Sequence, residues 1–250
     1  MMTITKYYKH KGHISEISSR YNIFSRLSNA RLASSTNRGW RDTQSGVLSN
    51  ELMVAFFGKT GYGKSSTVNA FFGNTIMETS DVSACTRVCN SLDFELSPGH
   101  YLSIGDFPGI GESEYRDIEY LTMYKDFMQH ATAVVYIVRA DTRDYSIDET
   151  AYRTLFTQVL ERKKVILAIN CCDKIEPISR IEQKEPTAEQ MRSIHEKIHS
   201  INKIFKPENK IIPYSAATGW NMDHLAAEIV NVVTNSGELI FKNQFLKNWW

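Results

Sequence analysis

The stretch Gly58–Ser66, GKTGYGKSS, follows directly on the apolar run 52–57. Its glycines let the backbone turn tightly and point N–H groups inward at an anion, and a helix that follows aims its positive end at the same place. Lys64 would reach the β- and γ-phosphates as a point charge, and the Ser65 hydroxyl would coordinate Mg²⁺. The spacing Gly-x-x-x-x-Gly-Lys-Ser, after a strand and before a helix, therefore predicts a phosphate-binding loop.

We expect every residue of this loop to contact the nucleotide. The contact residues are Gly58, Lys59, Thr60, Gly61, Tyr62, Gly63, Lys64, Ser65 and Ser66. The alternative is a glycine-rich turn between a strand and a helix with a surface lysine, and the complete pattern in its proper context disfavours that interpretation.

A second polar stretch, Asp106-Phe107-Pro108-Gly109, comes about forty residues later at the end of another apolar run. An aspartate there can hold Mg²⁺ through water, and Gly109 can bring its N–H to the γ-phosphate without a Cβ in the way. On its own DFPG would be an ordinary turn. After a phosphate loop it predicts a metal ligand and a γ-phosphate sensor.

Between these two stretches lies the polar segment 81–87, in which Thr86 could complete the Mg²⁺ shell. Thr79 is a weaker candidate, and a plain loop threonine is the alternative in both cases. The predicted metal ligands are Ser65, Thr86 and Asp106. The predicted catalytic group comprises Lys64, Thr86 and Gly109.

The base is predicted from two later stretches, Asn170-Cys171-Cys172-Asp173 and Tyr214-Ser215-Ala216-Ala217. The Asp173 carboxylate could accept hydrogen bonds from the N1–H and 2-amino groups of guanine, a pair that adenine cannot supply. The Ala216 N–H could donate to guanine O6. The predicted base-site residues are Asn170, Asp173, Ser215, Ala216 and Ala217, and the preferred nucleotide is GTP rather than ATP.

Short β-rich runs alternate with amphipathic stretches along the chain, which predicts a mainly parallel sheet with helices on both faces. The predicted strands are 52–57, 90–96, 100–105, 133–138, 164–169 and 211–214, and the predicted helices are 64–72, 117–130, 147–161, 187–205 and 222–234. The connection 97–99 is too short for a crossover, so one strand pair is antiparallel. Ligands of such sheets bind at the carboxyl ends of the strands, where all the stretches above fall.

Composition indicates a globular protein, since the 250 residues are 42% hydrophobic. No apolar run reaches the roughly 20 residues of a membrane-spanning helix, and the chain start lacks the apolar core of a secretory signal, so we expect a cytoplasmic protein. The four cysteines form no paired CxxC sets. We expect reduced thiols, with metal binding as the minor alternative.

Charge and composition divide the chain into three parts. We expect residues 1–45, with eight Lys or Arg against two acidic residues, to form a basic extension, residues 46–236 to form the nucleotide-binding domain, and residues 237–250 to form an apolar helical tail. Within the extension, residues 13–28 have the spacing of a basic amphipathic helix. It would either dock on the domain or bind RNA or an acidic membrane surface.

The order GKTGYGKSS, Thr86, DFPG, NCCD and SAA resembles the Ras-like G domain of the TRAFAC class of P-loop NTPases, over roughly residues 50–234. It is most similar to the Era/TrmE and septin-like branch, and within it to bacterial large-ribosomal-subunit-binding GTPases. The resemblance implies a six-stranded, mainly parallel sheet with one antiparallel strand. It also implies Mg²⁺-dependent hydrolysis of GTP to GDP and phosphate.

Three positions depart from the family pattern. Cys171 replaces the lysine of Asn-Lys-x-Asp, whose stem lies over the guanine face, which puts base affinity in doubt. Ile110 stands where Ras carries a water-orienting glutamine, so we expect slow intrinsic hydrolysis. Gly61 stands where Era and TrmE-like proteins place a potassium-holding asparagine, so we expect no potassium stimulation. Septin-like proteins with glycine there often pair across their nucleotide faces, which makes homodimerisation a hypothesis.

Three functions stay open at this point. The first is a GTP-hydrolysing switch with a ribosomal or structured RNA partner, in ribosome assembly or RNA modification. The second is a septin-like assembly module that binds GTP, dimerises and hydrolyses little. The third, an ATPase or small-molecule kinase, is disfavoured by Asp173 and by the absence of a recognisable lid or acceptor site in the sequence.

Overall fold

A computed structural model describes residues 8–10, 31–32, 51–73, 77, 89–97, 100–128, 131–178 and 183–235. Thr79, Thr86, Cys85, the predicted helix 13–28 and the apolar tail 237–250 lie outside these residues.

Eight strands and six helices alternate through the described residues. The strands are β1 (Tyr8–His10), β2 (Arg31–Leu32), β3 (Glu51–Gly58), β4 (Cys89–Ser97), β5 (His100–Asp106), β6 (Ala133–Arg139), β7 (Val165–Asn170) and β8 (Ile212–Pro213). The helices are α1 (Lys64–Phe72), α2 (Glu114–Met128), α3 (Ser146–Leu155), α4 (Val159–Arg162), α5 (Ala188–Phe205) and α6 (Met222–Asn235), with a 3₁₀ turn at Cys172–Lys174.

The strands form one sheet in the order β1-β4-β5-β3-β6-β7-β8. All six predicted strands are present, and among them only β4 and β5 pair antiparallel. Two short strands are additional, since β1 pairs parallel and β2 antiparallel with β4 at the sheet edge. Pairings of three and two residues are too short to leave an alternating pattern in a sequence, which is why neither was predicted.

The predicted helix 147–161 is wrong, because it is two helices. α3 ends at Leu155, and Phe156 turns into the core with 2% of its surface exposed. α4 then starts after Gln158, whose N–H donates to the Glu161 carboxylate at 2.8 Å in a capping box. The box satisfies backbone donors at a new helix start, so the chain breaks where the apolar spacing alone suggested continuity.

The core lies on both sides of β3, β6 and β7. Strands β6 and β7 are apolar and buried nearly throughout, as expected for central strands of a parallel sheet covered on both faces. An aromatic cluster packs under the end of β5, where Phe107 meets Phe57 and Phe127 edge-on with ring centroids 4.9 Å and 4.3 Å away. Tyr124 of α2 stacks on Phe57 and donates its hydroxyl to the Pro108 carbonyl.

Asp148 is a fully buried carboxylate beneath the loop that follows β3. Its Oδ2 accepts a hydrogen bond from the Tyr62 hydroxyl at 3.1 Å, and its backbone carbonyl accepts from Tyr136 at 3.3 Å. Among the described residues, Oδ1 has no hydrogen-bond partner. Burial raises the pKa of Asp148 to about 6, although the Tyr62 hydrogen bond opposes the rise.

Asp148→Asn should change how stability depends on pH. Because the pKa of Asp148 is higher in the folded than in the unfolded chain, the carboxyl favours folding below about pH 4, and this contribution is lost as pH rises through about 6. The unfolding free energy of Asp148→Asn minus that of the wild type should therefore increase from pH 4.5 to 7.5. One pKa unit corresponds to about 1.4 kcal/mol, so the expected increase is about 2 kcal/mol.

Urea titrations monitored by circular dichroism at several pH values measure this difference. Asp126→Asn, at an exposed aspartate of α2, is the control and should track the wild type. A pH-independent difference for Asp148→Asn would show that folding does not raise the pKa of this carboxyl.

Candidate functional site

The glycine-rich loop connects β3 to α1 as a tight turn. Gly58 has φ +137°, and a Cβ there would lie 2.3 Å from the Ile137 carbonyl oxygen of the neighbouring strand. Gly63 has φ +84°, and a Cβ there would lie 2.4 Å from the Asn170 side-chain nitrogen. Both positions exclude any side chain, so the glycines of the motif are required by the backbone turn and by close neighbours.

Lys64, the first residue of α1, folds back over the loop. Its Nζ donates to the carbonyl oxygens of Gly58 and Lys59, each at 3.1 Å, and the residue is 6% exposed. Burial lowers the pKa of Lys64 to about 8, while the charge of Asp106 opposes the shift most strongly. The ammonium is still mostly charged at neutral pH, so a concentrated positive charge lies beside the helix start, where an anion is favoured.

Ser65 and Asp106 meet although they lie 41 residues apart in the sequence. The Ser65 hydroxyl lies 2.6 Å from Asp106 Oδ2, and Asp106 is fully buried at the carboxyl end of β5. Hydroxyl and carboxylate oxygens are the hard donors that Mg²⁺ prefers. The pair fits a magnesium ion that takes its remaining ligands from phosphate oxygens and water. The described residues group no three His, Cys, Asp or Glu side chains that could hold a metal by themselves.

The loop after β5 lies directly on the phosphate loop. The Thr60 N–H donates to the Ile110 carbonyl at 2.9 Å, and the Ile110 N–H donates to the Gly58 carbonyl at 3.3 Å. A Cβ on Gly109 would lie 2.4 Å from the Thr60 nitrogen. In this arrangement Gly109 is required by its contact with the phosphate loop itself.

Glu112 adds a side-chain link between the same two loops. Its Oε1 accepts from the Thr60 hydroxyl at 3.2 Å, and its Oε2 accepts from Arg116 at 2.6 Å. A displacement of either loop would break this link as well as the backbone pairing.

The Asn170 carboxamide joins three stretches that are far apart in the sequence. Its Nδ2 donates to the Tyr62 carbonyl at 3.0 Å, and its Oδ1 accepts from the Ala216 N–H at 3.1 Å. Asn170 thereby ties the loop after β8 to the phosphate loop. The Ala216 N–H, predicted to donate to guanine O6, donates here to Asn170.

Asp173 is held in place by the loop after β8. Its Oδ1 accepts from the Ser215 hydroxyl at 2.6 Å, and Ser215 Oγ in turn accepts from the Thr218 N–H at 3.1 Å. Asp173 is partly exposed, Ser215 is buried, and Ala217 is exposed. A fixed carboxylate at this edge of the sheet can offer two acceptor oxygens in the orientation that the guanine edge requires.

The structure thus places the predicted residues of the four described stretches at one edge of the sheet, and their roles in binding and catalysis stay predictions. Thr86 lies outside the described residues. Sequence analysis missed Glu112, Asp148 and Arg139. Asp148 lies on the buried apolar face of α3, and its helical spacing from the apolar residues could have revealed it. Arg139 is the last residue of β6, at the edge of the sheet where ligands bind, and its position at a strand end could have revealed it.

Comparison with known proteins finds GTPases among those that this chain resembles. Residues 53–171 match the model of the family described as 50S ribosome-binding GTPase. The Escherichia coli proteins YkfA and YfjP are 35% and 34% identical over 181 residues, which cover 72% of this chain and 61% of each relative. The chain therefore spans about three fifths of the length of these relatives. GTPase Era of Geotalea daltonii is 27% identical over 195 residues, covering 77% of this chain and 59% of Era.

Solved structures share the fold. Era in complex with MgGDPNP and nucleotides of 16S ribosomal RNA superposes with a TM-score of 0.58 at 24% identity, covering 73% of this chain and 57% of that one. Toc33 from Arabidopsis thaliana in complex with Mg²⁺ and GMPPNP gives a TM-score of 0.55 at 19% identity, covering 74% of this chain and 85% of that one. Residues 53–171 therefore carry the sequence pattern of the 50S ribosome-binding GTPase family, on the fold that these solved structures share.

Proposed function

We propose that this chain binds GTP with Mg²⁺ and hydrolyses it to GDP and phosphate, and that the two nucleotide states differ in the loops around the γ-phosphate. The main support is the position of the buried Lys64 ammonium beside the Ser65–Asp106 pair, at the end of a turn in which Gly58 and Gly63 admit no side chain. The partly exposed Asp173 carboxylate stands at the same sheet edge and favours guanine.

Each group has a separate task in phosphoryl transfer. The Lys64 ammonium and the loop N–H groups bind the β- and γ-phosphate oxygens, and Ser65 and Asp106 hold the metal. A Mg²⁺ ion held by Ser65 and Asp106 would supply positive charge to neutralise the charge that develops on the phosphate oxygens. Water attacks the γ-phosphorus, the bond to the β,γ-bridging oxygen breaks, and GDP leaves with the bonding electrons.

Slow turnover follows from Ile110. This residue stands where Ras has its water-orienting glutamine, and its apolar side chain is 1% exposed. A buried isoleucine can neither donate to nor accept from the attacking water, so we propose that the unaided reaction relies on charge stabilisation alone. Gly109 and Ile110 contact the phosphate loop directly, and a γ-phosphate would compete for that space. This contact gives the two nucleotide states a structural difference.

Asp173→Asn tests the assignment of the base. The amide would offer a donor where guanine presents its 2-amino donor, so GTP affinity should fall by roughly 100-fold, in line with about 3 kcal/mol for a lost charge-assisted pair. Xanthosine triphosphate, which carries an oxygen at that position, should gain affinity. Isothermal titration calorimetry with Mg²⁺ measures both nucleotides, and ATP tests the disfavoured third function.

Two variants control this experiment. Lys64→Ala removes the phosphate-binding ammonium and should bind neither triphosphate, whereas Lys125→Ala, at an exposed lysine of α2, should bind GTP as the wild type does. An unchanged preference of Asp173→Asn for GTP over xanthosine triphosphate would refute the role of Asp173. No heat from wild-type protein with either GDP or GTP would refute the proposed function.

The alternative is a nucleotide-dependent assembly module that turns over little. Its support is the fold shared with Toc33, which superposes with a TM-score of 0.55 at 19% identity. Dimerization is important for the GTPase activity of Toc33. A dimer that forms with a nonhydrolysable GTP analogue, together with negligible phosphate release, is the outcome expected of this module. Light scattering and a phosphate-release assay at several protein concentrations separate it from a monomeric switch.

Structured ribosomal RNA is the partner class that we propose for the basic segment 1–45. Its support is the excess of positive charge there, the family description, and the likeness to Era, whose solved complex contains 16S ribosomal RNA. Because phosphate contacts release counterions, RNA affinity should fall steeply with salt. Filter binding at two salt concentrations, with Arg20 and Arg26 both changed to glutamate as the comparison, measures this. Equal binding by both proteins would contradict the proposal.

A further inference from the structure

The Arg139 guanidinium, at the carboxyl end of β6, lies against the phosphate loop. Its Nη1 donates to the Gly61 carbonyl at 3.2 Å. Its Nε and Nη2 donate to the two carboxylate oxygens of Asp141 at 2.8 Å and 2.6 Å. This forked pairing fixes the plane of the guanidinium, and the side chain keeps 29% of its surface exposed. Arg139 is therefore both positioned by the protein and accessible to a ligand.

The sheet register places Arg139 next to the start of the NCCD stretch. Arg139 pairs with Asn170 across β6 and β7, and the Ala140 N–H donates to the Asn170 carbonyl at 2.8 Å. The Arg139 and Asn170 side chains bind the consecutive carbonyls of Gly61 and Tyr62. The guanidinium thus lies between the phosphate loop and the loop that carries Asp173, where a base joined to loop-bound phosphates must pass.

Because Cys171 stands in place of a lysine, this region lacks a cation that the family pattern provides. It occupies the lysine position of the family pattern and adopts a left-handed backbone with φ +62°. Its thiol is short, and burial raises the pKa of Cys171 to about 11, so it is neutral at physiological pH. The positive charge of Arg139 acts on this same thiol and opposes the rise. The planar Arg139 guanidinium, which comes from the adjacent strand, therefore lies near Cys171, the position of the family lysine.

We propose that the Arg139 guanidinium contacts the face of the bound purine and so takes the place of the lysine that Cys171 replaces. A planar guanidinium stacks on aromatic rings as well as attracting them by its charge. Asp141 and Gly61 already hold the group, so binding loses little side-chain entropy. This inference rests on the proposed binding of GTP and adds a residue that sets purine affinity.

Arg139→Gln is the sharpest test, because glutamine keeps a polar side chain with N–H donors while it removes the charge and the planar guanidinium fork. GDP affinity should fall about tenfold, since a cation over an aromatic face is worth about 1–2 kcal/mol. Inosine diphosphate should lose the same factor, because a contact with the ring face does not read the 2-amino group. Inorganic pyrophosphate, which has no base, should bind the variant and the wild type equally. Calorimetry and competition with a fluorescent GDP analogue provide these constants.

Two further variants complete the test. Arg153→Ala removes an arginine whose side chain is 71% exposed and pairs with Glu149, and it should bind GDP as the wild type does. Arg139→Gln combined with Cys171→Lys should recover GDP affinity to within about threefold of the wild type, because the lysine returns a cation to the base site. Urea midpoints of all variants show whether each one folds, and Arg139→Met, which also removes the charge, replaces Arg139→Gln if the latter does not.

The outcomes separate this inference from the function on which it rests. Wild-type protein that binds no guanine nucleotide would refute the proposed function. If the wild type binds GDP and Arg139→Gln binds it with the same affinity, the inference alone is overturned. The same holds if Arg139→Gln loses equal affinity for GDP and for pyrophosphate, because Arg139 would then serve only to support the phosphate loop. A loss for GDP that lysine at position 171 does not restore would overturn the replacement of the lysine.

Discussion

The hydrogen bonds of the Asn170 carboxamide hold the site together. Through Tyr62 and Ala216 this side chain joins the loops that follow β3 and β8, while its own backbone continues into the NCCD stretch. A Cβ on Gly63 would occupy nearly the same space as its amide nitrogen. Because an amide can donate and accept at once, one buried residue fixes the distance between the predicted phosphate-binding and base-binding loops.

The phosphate half depends on a second constraint, the burial of Lys64. Desolvation depresses its pKa, and the nearby carboxylates of Asp106 and Asp148 keep the ammonium charged. Carbonyl oxygens of the loop coordinate the ammonium while leaving the helix start open to an anion. The glycine turn, the buried cation and the helix terminus therefore all favour negative charge at one point, and the glycines of the turn place no side chain in the way of an anion.

Much of this arrangement could be predicted from the sequence, because strong local signals coincide with sheet topology. The six main strands and the P-loop context followed from apolar runs and glycine spacing. The break between α3 and α4 did not, since Phe156 is as apolar as a helix interior requires and only the Gln158–Glu161 capping box marks a new start. The contact of Arg139 with the Gly61 carbonyl could not be foreseen either, because it depends on the register between β3 and β6, which no local pattern encodes.

Phe107 has a consequence for how the loop after β5 can move. Its ring packs against Phe57, Tyr124 and Phe127, and the Tyr124 hydroxyl donates a hydrogen bond to the carbonyl of the next residue, Pro108. The pivot of any rearrangement consequently lies beyond Pro108. Asp106, the predicted metal ligand, lies on the anchored side of that pivot, whereas Gly109, the predicted γ-phosphate sensor, lies beyond it, so a movement of the sensor would leave the metal ligand in place.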